Sequence, residues 1–176
     1  GQNAGTYYFN GKGEMQKGWI SLNMPEEGVV WKYFGADGKE IEPADTGSMP
    51  SGVVPLDKNS VDDSYTWYQI GDDWYCIQSN KTLVKGRFVS TGGYKFYLDK
   101  SAGALMKGHF LDGKTHCYSD AGDGRIEPSG RLLEETDGES GRVVRYYFDG
   151  NGKRVTGWKT VEGPDGNEIK YYFEPS

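Results

Sequence analysis

A short string of residues recurs along this chain and leaves little freedom in how it can fold. Its clearest copy is an aromatic triplet, a Gly-x-Gly turn and a closing Gly-Trp: Tyr7-Tyr8-Phe9, Gly11-Lys12-Gly13 and Gly18-Trp19. Arg145-Tyr146-Tyr147-Phe148, Gly150-Asn151-Gly152 and Gly157-Trp158 repeat it. Weaker copies lie between, spaced about 20 to 25 residues apart. Val30 to Phe34 leads into Ala36 to Ile41, Trp74 to Ile77 into Leu83 to Phe88, Tyr94 to Leu98 into Leu105 to Phe110, and Thr115 to Tyr118 into Arg125-Ile126. Lys170 to Phe173 reads as the first strand of a further copy.

Each copy has the same physical logic. The aromatic run favours a strand, Asp, Asn and Gly tolerate the backbone of a tight turn, and a short apolar-polar alternation returns as a second strand. One hairpin is marginal in water, so the copies must stack and bury ring faces against one another. The expected fold is all-β, a solenoid of stacked hairpin repeats. No window sustains a helical apolar period. Composition agrees: 13 Tyr, 7 Phe and 5 Trp stand beside 27 Gly in a chain that is only 35% hydrophobic, so rings must supply most of the burial.

The repeats weaken twice. Pro43, Pro50 and Pro55 fall in an aromatic-free stretch that reads as a linker or long loop over 43–64, with N-terminal repeats at 1–42 and the main array at 65–176. Tyr65 to Ile70 reads as an extra strand turning through Gly71-Asp72-Asp73 into Trp74. The polar stretch from Glu127 to Gly141 reads as a second loop.

Charge and motif content narrow the function classes. A net charge of -6 with scattered Lys and Arg lacks the footprint of a nucleic-acid binder. No apolar run approaches the roughly 20 residues of a membrane span, so no insertion is expected. The opening Gly1-Gln2-Asn3, without an initiator Met, reads as a mature or trimmed chain. Cys76 and Cys117 permit one bridge or serve as small apolar fillers. Neither they nor His109 and His116 have zinc-site spacing, so no metal, cofactor or catalytic residue is expected. Asp37, Asp72, Asp73, Asp120, Asp123 and Asp149 fall in expected turns, where they serve backbone geometry rather than acid catalysis. Asp149-Gly150-Asn151-Gly152-Lys153 opens like a calcium loop but carries Lys at its fifth position. Asn80-Lys81-Thr82 is a glycosylation sequon.

The Gly5 to Trp19 and Arg145 to Trp158 copies resemble the cell-wall-binding repeat family, of both its choline-binding and glucan-binding types. The resemblance covers roughly two thirds of the chain and is degenerate in the middle, where Phe88 and Phe110 stand in for the closing Trp. It implies a non-catalytic module, secreted or on the surface of a Gram-positive bacterium, that holds a protein to the envelope. The implied partners are cell-wall polysaccharide or choline-bearing teichoic acid. The implied ligand residues are Trp19 with Trp31 and Tyr33, and Trp158 with Tyr171, while Phe88 with Tyr94 and Phe110 with His116 are weaker pairs. A quaternary ammonium would sit over the ring faces, whereas a sugar would stack its C–H face on a ring and give its hydroxyls to amides or carboxylates. Unfinished end hairpins would expose ring faces and offer a route to self-association. The alternative is a structural spacer or protein-adhesion repeat with no small ligand.

Overall fold

The computed structural model describes residues 5–175, and these form two compact units. The first comprises 5–53, 61–87 and 98–105, and the second 54–60, 88–97 and 106–175. Both are built from small antiparallel sheets, as the all-β hairpin reading expects; the one helical element among the described residues is a 3-10 turn at Lys58–Ser60.

In the first unit, β1 (Gly18–Met24), β2 (Gly28–Phe34) and β3 (Glu40–Ile41) form one sheet, and β4 (Asp45–Gly47), β5 (Tyr65–Ile70) and β6 (Asp73–Gln78) a second. Next come β7 (Arg87–Thr91) and β8 (Tyr94–Leu98), which pair, and β9 (Gly108–Asp112) with β10 (Thr115–Ser119). The sheet of β11 (Arg131–Thr136), β12 (Val143–Phe148) and β13 (Arg154–Val155) and the hairpin of β14 (Gly157–Glu162) with β15 (Glu168–Phe173) follow. The segment 43–64 carries β4, whose Asp45 to Gly47 pair with Gln69 to Trp67. Its 54–60 portion belongs to the second unit, where the Leu56 N–H donates to the Gly92 carbonyl at 2.8 Å.

The hairpin frame differs from the one the repeats suggest. The closing Gly-Trp does not end a hairpin but begins the next one: Gly18 to Met24 pair residue for residue with Phe34 back to Gly28, across the three-residue connection Pro25-Glu26-Glu27. The Gly-rich turn after each aromatic strand leads only to a short third strand, β3 or β13, or to single bridges such as Phe9 with Met15 and Leu98 with Leu105. Those turns are held by a carboxylate or amide that accepts the N–H two residues on, as Asn10, Asp37, Asp99, Asp120 and Asp149 do at 2.7 to 3.0 Å. Such turns hydrogen-bond their own backbone, which explains acidic residues at this spacing without any catalytic role.

The stretch from Glu127 to Gly141 is not a loop throughout, since β11 occupies Arg131–Thr136 and pairs along its length with β12. Its polar sequence is accommodated on a half-exposed strand, where Glu134 faces Arg145 and the two form an ion pair. Both cysteines are free and fully buried, at 0% exposure, and Cys117 packs in an apolar cluster with Tyr97 and Phe110. Burial pushes the Cys76 thiol up to about 12.

Candidate functional site

Hairpin register decides which residue holds each ring position. Gly18, Gly86, Gly108 and Gly157 all have φ between 62° and 82°, left-handed backbone that a side chain resists. The residue after each is therefore the equivalent one: Trp19, Arg87, His109 and Trp158. In three hairpins the pairing is explicit, with Gly18, Gly108 and Gly157 opposite Phe34, Ser119 and Phe173, and Trp19, His109 and Trp158 opposite Tyr33, Tyr118 and Tyr172.

Phe88 and Phe110 thus lie one place beyond the closing position. Successive side chains on a strand face opposite ways. Both rings turn into a core cluster with Tyr97, Cys117 and Met106, each 4.8 Å from the Tyr97 ring. Tyr94 is not brought to Phe88; it is buried beneath the Arg125 guanidinium, 5.4 Å from its ring centre. His116 is exposed and sits opposite Leu111 rather than against Phe110. Tyr171 is opposite Lys159, and the ring that Trp158 meets is Tyr172, at 5.2 Å.

The first group, by contrast, is brought together. Trp19, Tyr33 and Trp31 share one face of the β1–β2 hairpin, since Tyr33 is opposite Trp19 and Trp31 two residues along. Trp19 meets Tyr33, Tyr68 and Tyr75 edge to face at 5.5 to 5.6 Å. Each such pair is worth roughly 0.5 to 1.5 kcal/mol beyond its buried area, which fixes the hairpin on the β5–β6 hairpin. Burial raises the phenols of Tyr68 and Tyr75, so these rings stay neutral. The Trp19 indole N–H is buried without a hydrogen-bond acceptor. Trp31 differs: its N–H donates to the Lys81 carbonyl at 2.9 Å, and its ring is half-buried at the lip of the cluster.

Around these rings opens a cleft of about 240 Å³, lined by Trp19, Trp31, Tyr33 and Tyr68 together with Glu27, Lys32, Glu40 and Glu42. Lys32 is ion-paired to Glu40, a hydrogen bond that raises the ammonium above its ordinary value. A second cleft of about 210 Å³ lies on Trp31 and Tyr68 and is lined by Thr66, Gln78 and Ser79. The sequence pointed to Trp19, Trp31 and Tyr33 but missed Tyr68 and Tyr75, which come from the extra β5–β6 hairpin, and the acidic rim, which comes from the β1–β2 connection (Glu27) and from β3 and the residue after it (Glu40, Glu42).

In the second unit the equivalent of the Trp19 cluster has His109 at its centre. Its imidazole meets Tyr118 across the hairpin and Tyr146 and Phe148 of the β11–β13 sheet, at 5.1, 5.7 and 5.6 Å, and Nε2 lies 2.9 Å from Glu135 Oε1. Other rings here carry cations of the chain: Arg131 over Tyr118, Arg154 over Tyr146, Lys159 over Tyr147 and Lys170 over Trp158, at 4.9 to 5.4 Å. Trp158 and Tyr172 are 66% and 53% exposed.

No family model matches the chain. In sequence it is similar to Glucosyltransferase-S of Streptococcus mutans, 29% identical over 173 residues, which are 92% of this chain and 10% of that protein. The chain thus spans about a tenth of the length of that relative. Among solved structures it is similar to the modular autolysin LytC from Streptococcus pneumoniae in complex with a synthetic peptidoglycan ligand, at 17% identity and TM-score 0.44, covering 97% of this chain and 35% of that one. It is also similar to a truncated alternansucrase from Leuconostoc mesenteroides, at 18% identity and TM-score 0.39 over 91% of this chain and 13% of that one, and to choline binding protein F from Streptococcus pneumoniae, at 19% identity and TM-score 0.32 over 95% and 84%. The proteins it is similar to are thus a glucosyltransferase, an autolysin, an alternansucrase and a choline binding protein, and the chain resembles the choline-binding and glucan-binding type of hairpin repeat.

Proposed function

We propose that the chain is a non-catalytic carbohydrate-binding module that attaches a secreted or cell-surface protein to a polysaccharide, of glucan-like or cell-wall type, through the cleft at Trp19, Trp31 and Tyr33. The observation that carries this reading is the lining of that cleft. Aromatic surface stands beside Glu27, Glu40, Glu42 and Lys32, so a sugar can lay its C–H face on a ring and give its hydroxyls to ionised partners.

A sugar is favoured over a quaternary ammonium by the packing of the cluster. A cation needs to lie within about 6 Å of several ring centres. Trp19 and its three tyrosines meet edge to face at 5.5 to 5.6 Å, so only part of their ring surface is left to the cleft, beside Trp31 and the acidic rim. Relatives named for glucosyl transfer and for choline binding both support a surface ligand of this general kind.

A spacer role is favoured for the second unit, because Arg131, Arg154 and Lys159 lie over the rings of Tyr118, Tyr146 and Tyr147. Self-association through the exposed Trp158 and Tyr172 belongs to the same proposal.

The test is titration calorimetry with soluble α-glucan, with solubilised cell-wall polysaccharide and with choline chloride. Saturable binding of a polysaccharide, weakened about tenfold or more in Trp31→Ala, is expected, with no heat from millimolar choline. Silence to both polysaccharides overturns the reading, and choline binding lost in Trp19→Ala replaces it with a headgroup receptor.

A further inference from the structure

The aromatic character of Trp31 is not something the hairpin needs. Three places in from the residue opposite the turn-entry glycine, the same register position holds Trp31 in β2, His116 in β10 and Lys170 in β15. The last two are exposed polar side chains, so the repeat folds without a ring there. A ring at this position in the first unit therefore needs another reason.

Its surroundings supply one. The clefts of about 240 and 210 Å³ share Val30, Trp31 and Tyr68 as lining, so the Trp31 indole is a wall common to both. Each cleft far exceeds the roughly 10–15 Å³ that a single water occupies. The first is rimmed by carboxylates and Lys32, the second by Thr66, Gln78 and Ser79 with Lys81, so each offers hydrogen-bonding groups beside the shared ring. The indole is held in place by its bond to the Lys81 carbonyl, fifty positions along the chain. Lys81 has φ 64°, the one non-glycine residue with left-handed backbone among those described. Side chains rarely adopt that backbone, and where it persists the surroundings enforce it. The enforcing contacts are the turn bonds from Lys81 N–H to Gln78 O, Gln78 N–H to Thr82 O and Thr82 N–H to Asn80 Oδ1, at 2.8 to 3.1 Å.

We infer that Trp31 is the shared stacking plate of one groove that takes an extended, uncharged oligosaccharide across both clefts, with the Asn80-Lys81 turn as its positioning element. The inference rests on the carbohydrate reading above and adds the form of the ligand: a run of consecutive sugars rather than one terminal residue or a charged headgroup. Thr66, Gln78 and Ser79 serve the hydroxyls of the units beyond Trp31.

The experiment is a binding ladder of isomalto-oligosaccharides, from the disaccharide upward, on the full chain by calorimetry, with urea midpoints confirming that each variant folds. Affinity is expected to climb about tenfold or more between the disaccharide and chains long enough to cross Trp31. Gln78→Ala and Thr66→Val are expected to flatten that climb while leaving the disaccharide unchanged, and Trp31→Phe, which keeps a ring but loses the bond to Lys81, to weaken the longer chains most. Length-independent binding that Gln78→Ala does not alter overturns the extended groove and leaves a carbohydrate module with one subsite. No binding of any member, together with silence to polysaccharide, removes the carbohydrate reading itself.

Discussion

Trp19 in the first unit and His109 in the second occupy the same place in the same hairpin, yet they build different surfaces. Each follows a glycine in left-handed backbone, lies opposite a tyrosine and reaches two rings of the next sheet. Trp19 is half-buried against three tyrosines and lines an open cleft, whereas His109 is half-exposed, bonded to Glu135, and surrounded by rings on which Arg131 and Arg154 already lie. The difference teaches that one backbone frame can leave ring surface open beside a cleft or set the chain's own cations over it.

The largest effect expected from breaking this comparison is on stability. Trp19→Ala removes the ring that ties β1–β2 to β5–β6 and should cost about 3 kcal/mol, while His109→Ala should cost about 1 kcal/mol, both read from urea unfolding. Equal losses would mean that the two centres are not mechanically different. His109→Trp sharpens the comparison: it restores the first unit's residue and should stabilise the fold by up to about 1 kcal/mol through contact with Tyr118, Tyr146 and Phe148, offset by the lost bond to Glu135. Trp158→Ala, at the register of Trp19 but 66% exposed, should change stability by less than about 0.5 kcal/mol. A loss as large as that of Trp19 would show that Trp158 is packed in solution, against another molecule or another part of the chain.

The smallest effect is on acid stability. The Arg131 guanidinium bonded to Asp120 holds that carboxyl below the usual carboxylate range. A depressed carboxyl contributes stability that is present above its unfolded value, about 3.9, and lost as pH falls through the folded value. The stability gap between the native chain and Arg131→Ala should therefore be constant near neutrality and shrink below about pH 4. A gap that stays constant on acidification would assign the effect of Arg131 to its ring contact with Tyr118 instead, since neither partner of that contact titrates there.

How much of this was legible in the sequence follows the strength of each local signal. Tyr7-Tyr8-Phe9 and Gly18-Trp19 announced all-β hairpins because aromatic strands and glycine turns are short-range features. The frame was misread because the Gly-rich turn is the louder signal, yet the longer pairing runs across Pro25-Glu26-Glu27, which carries no hairpin signature. Strand β11 was hidden for a related reason: Arg131-Leu132-Leu133-Glu134-Glu135-Thr136 is polar, and its pairing is decided by partners on β12.

At the site, Trp19, Trp31 and Tyr33 could be grouped from the alternation of one hairpin. Tyr68 and Tyr75 could not, since the stacking of one hairpin on another has no local signature. His109 could have been found by counting from Gly108 rather than by seeking the nearest large ring, a rule that also moves Phe88 and Phe110 off the face of the closing position and into the core. Tyr172 in place of Tyr171 follows from the same count.

The most direct test of the central claim is tryptophan fluorescence of the native chain, Trp31→Phe and Trp158→Phe during titration with a long isomalto-oligosaccharide. The account predicts a saturable change in the native chain and in Trp158→Phe, and a much weaker one in Trp31→Phe. A change that survives in Trp31→Phe and disappears in Trp158→Phe would contradict it, moving recognition from the cleft of the first unit to the exposed end hairpin of the second.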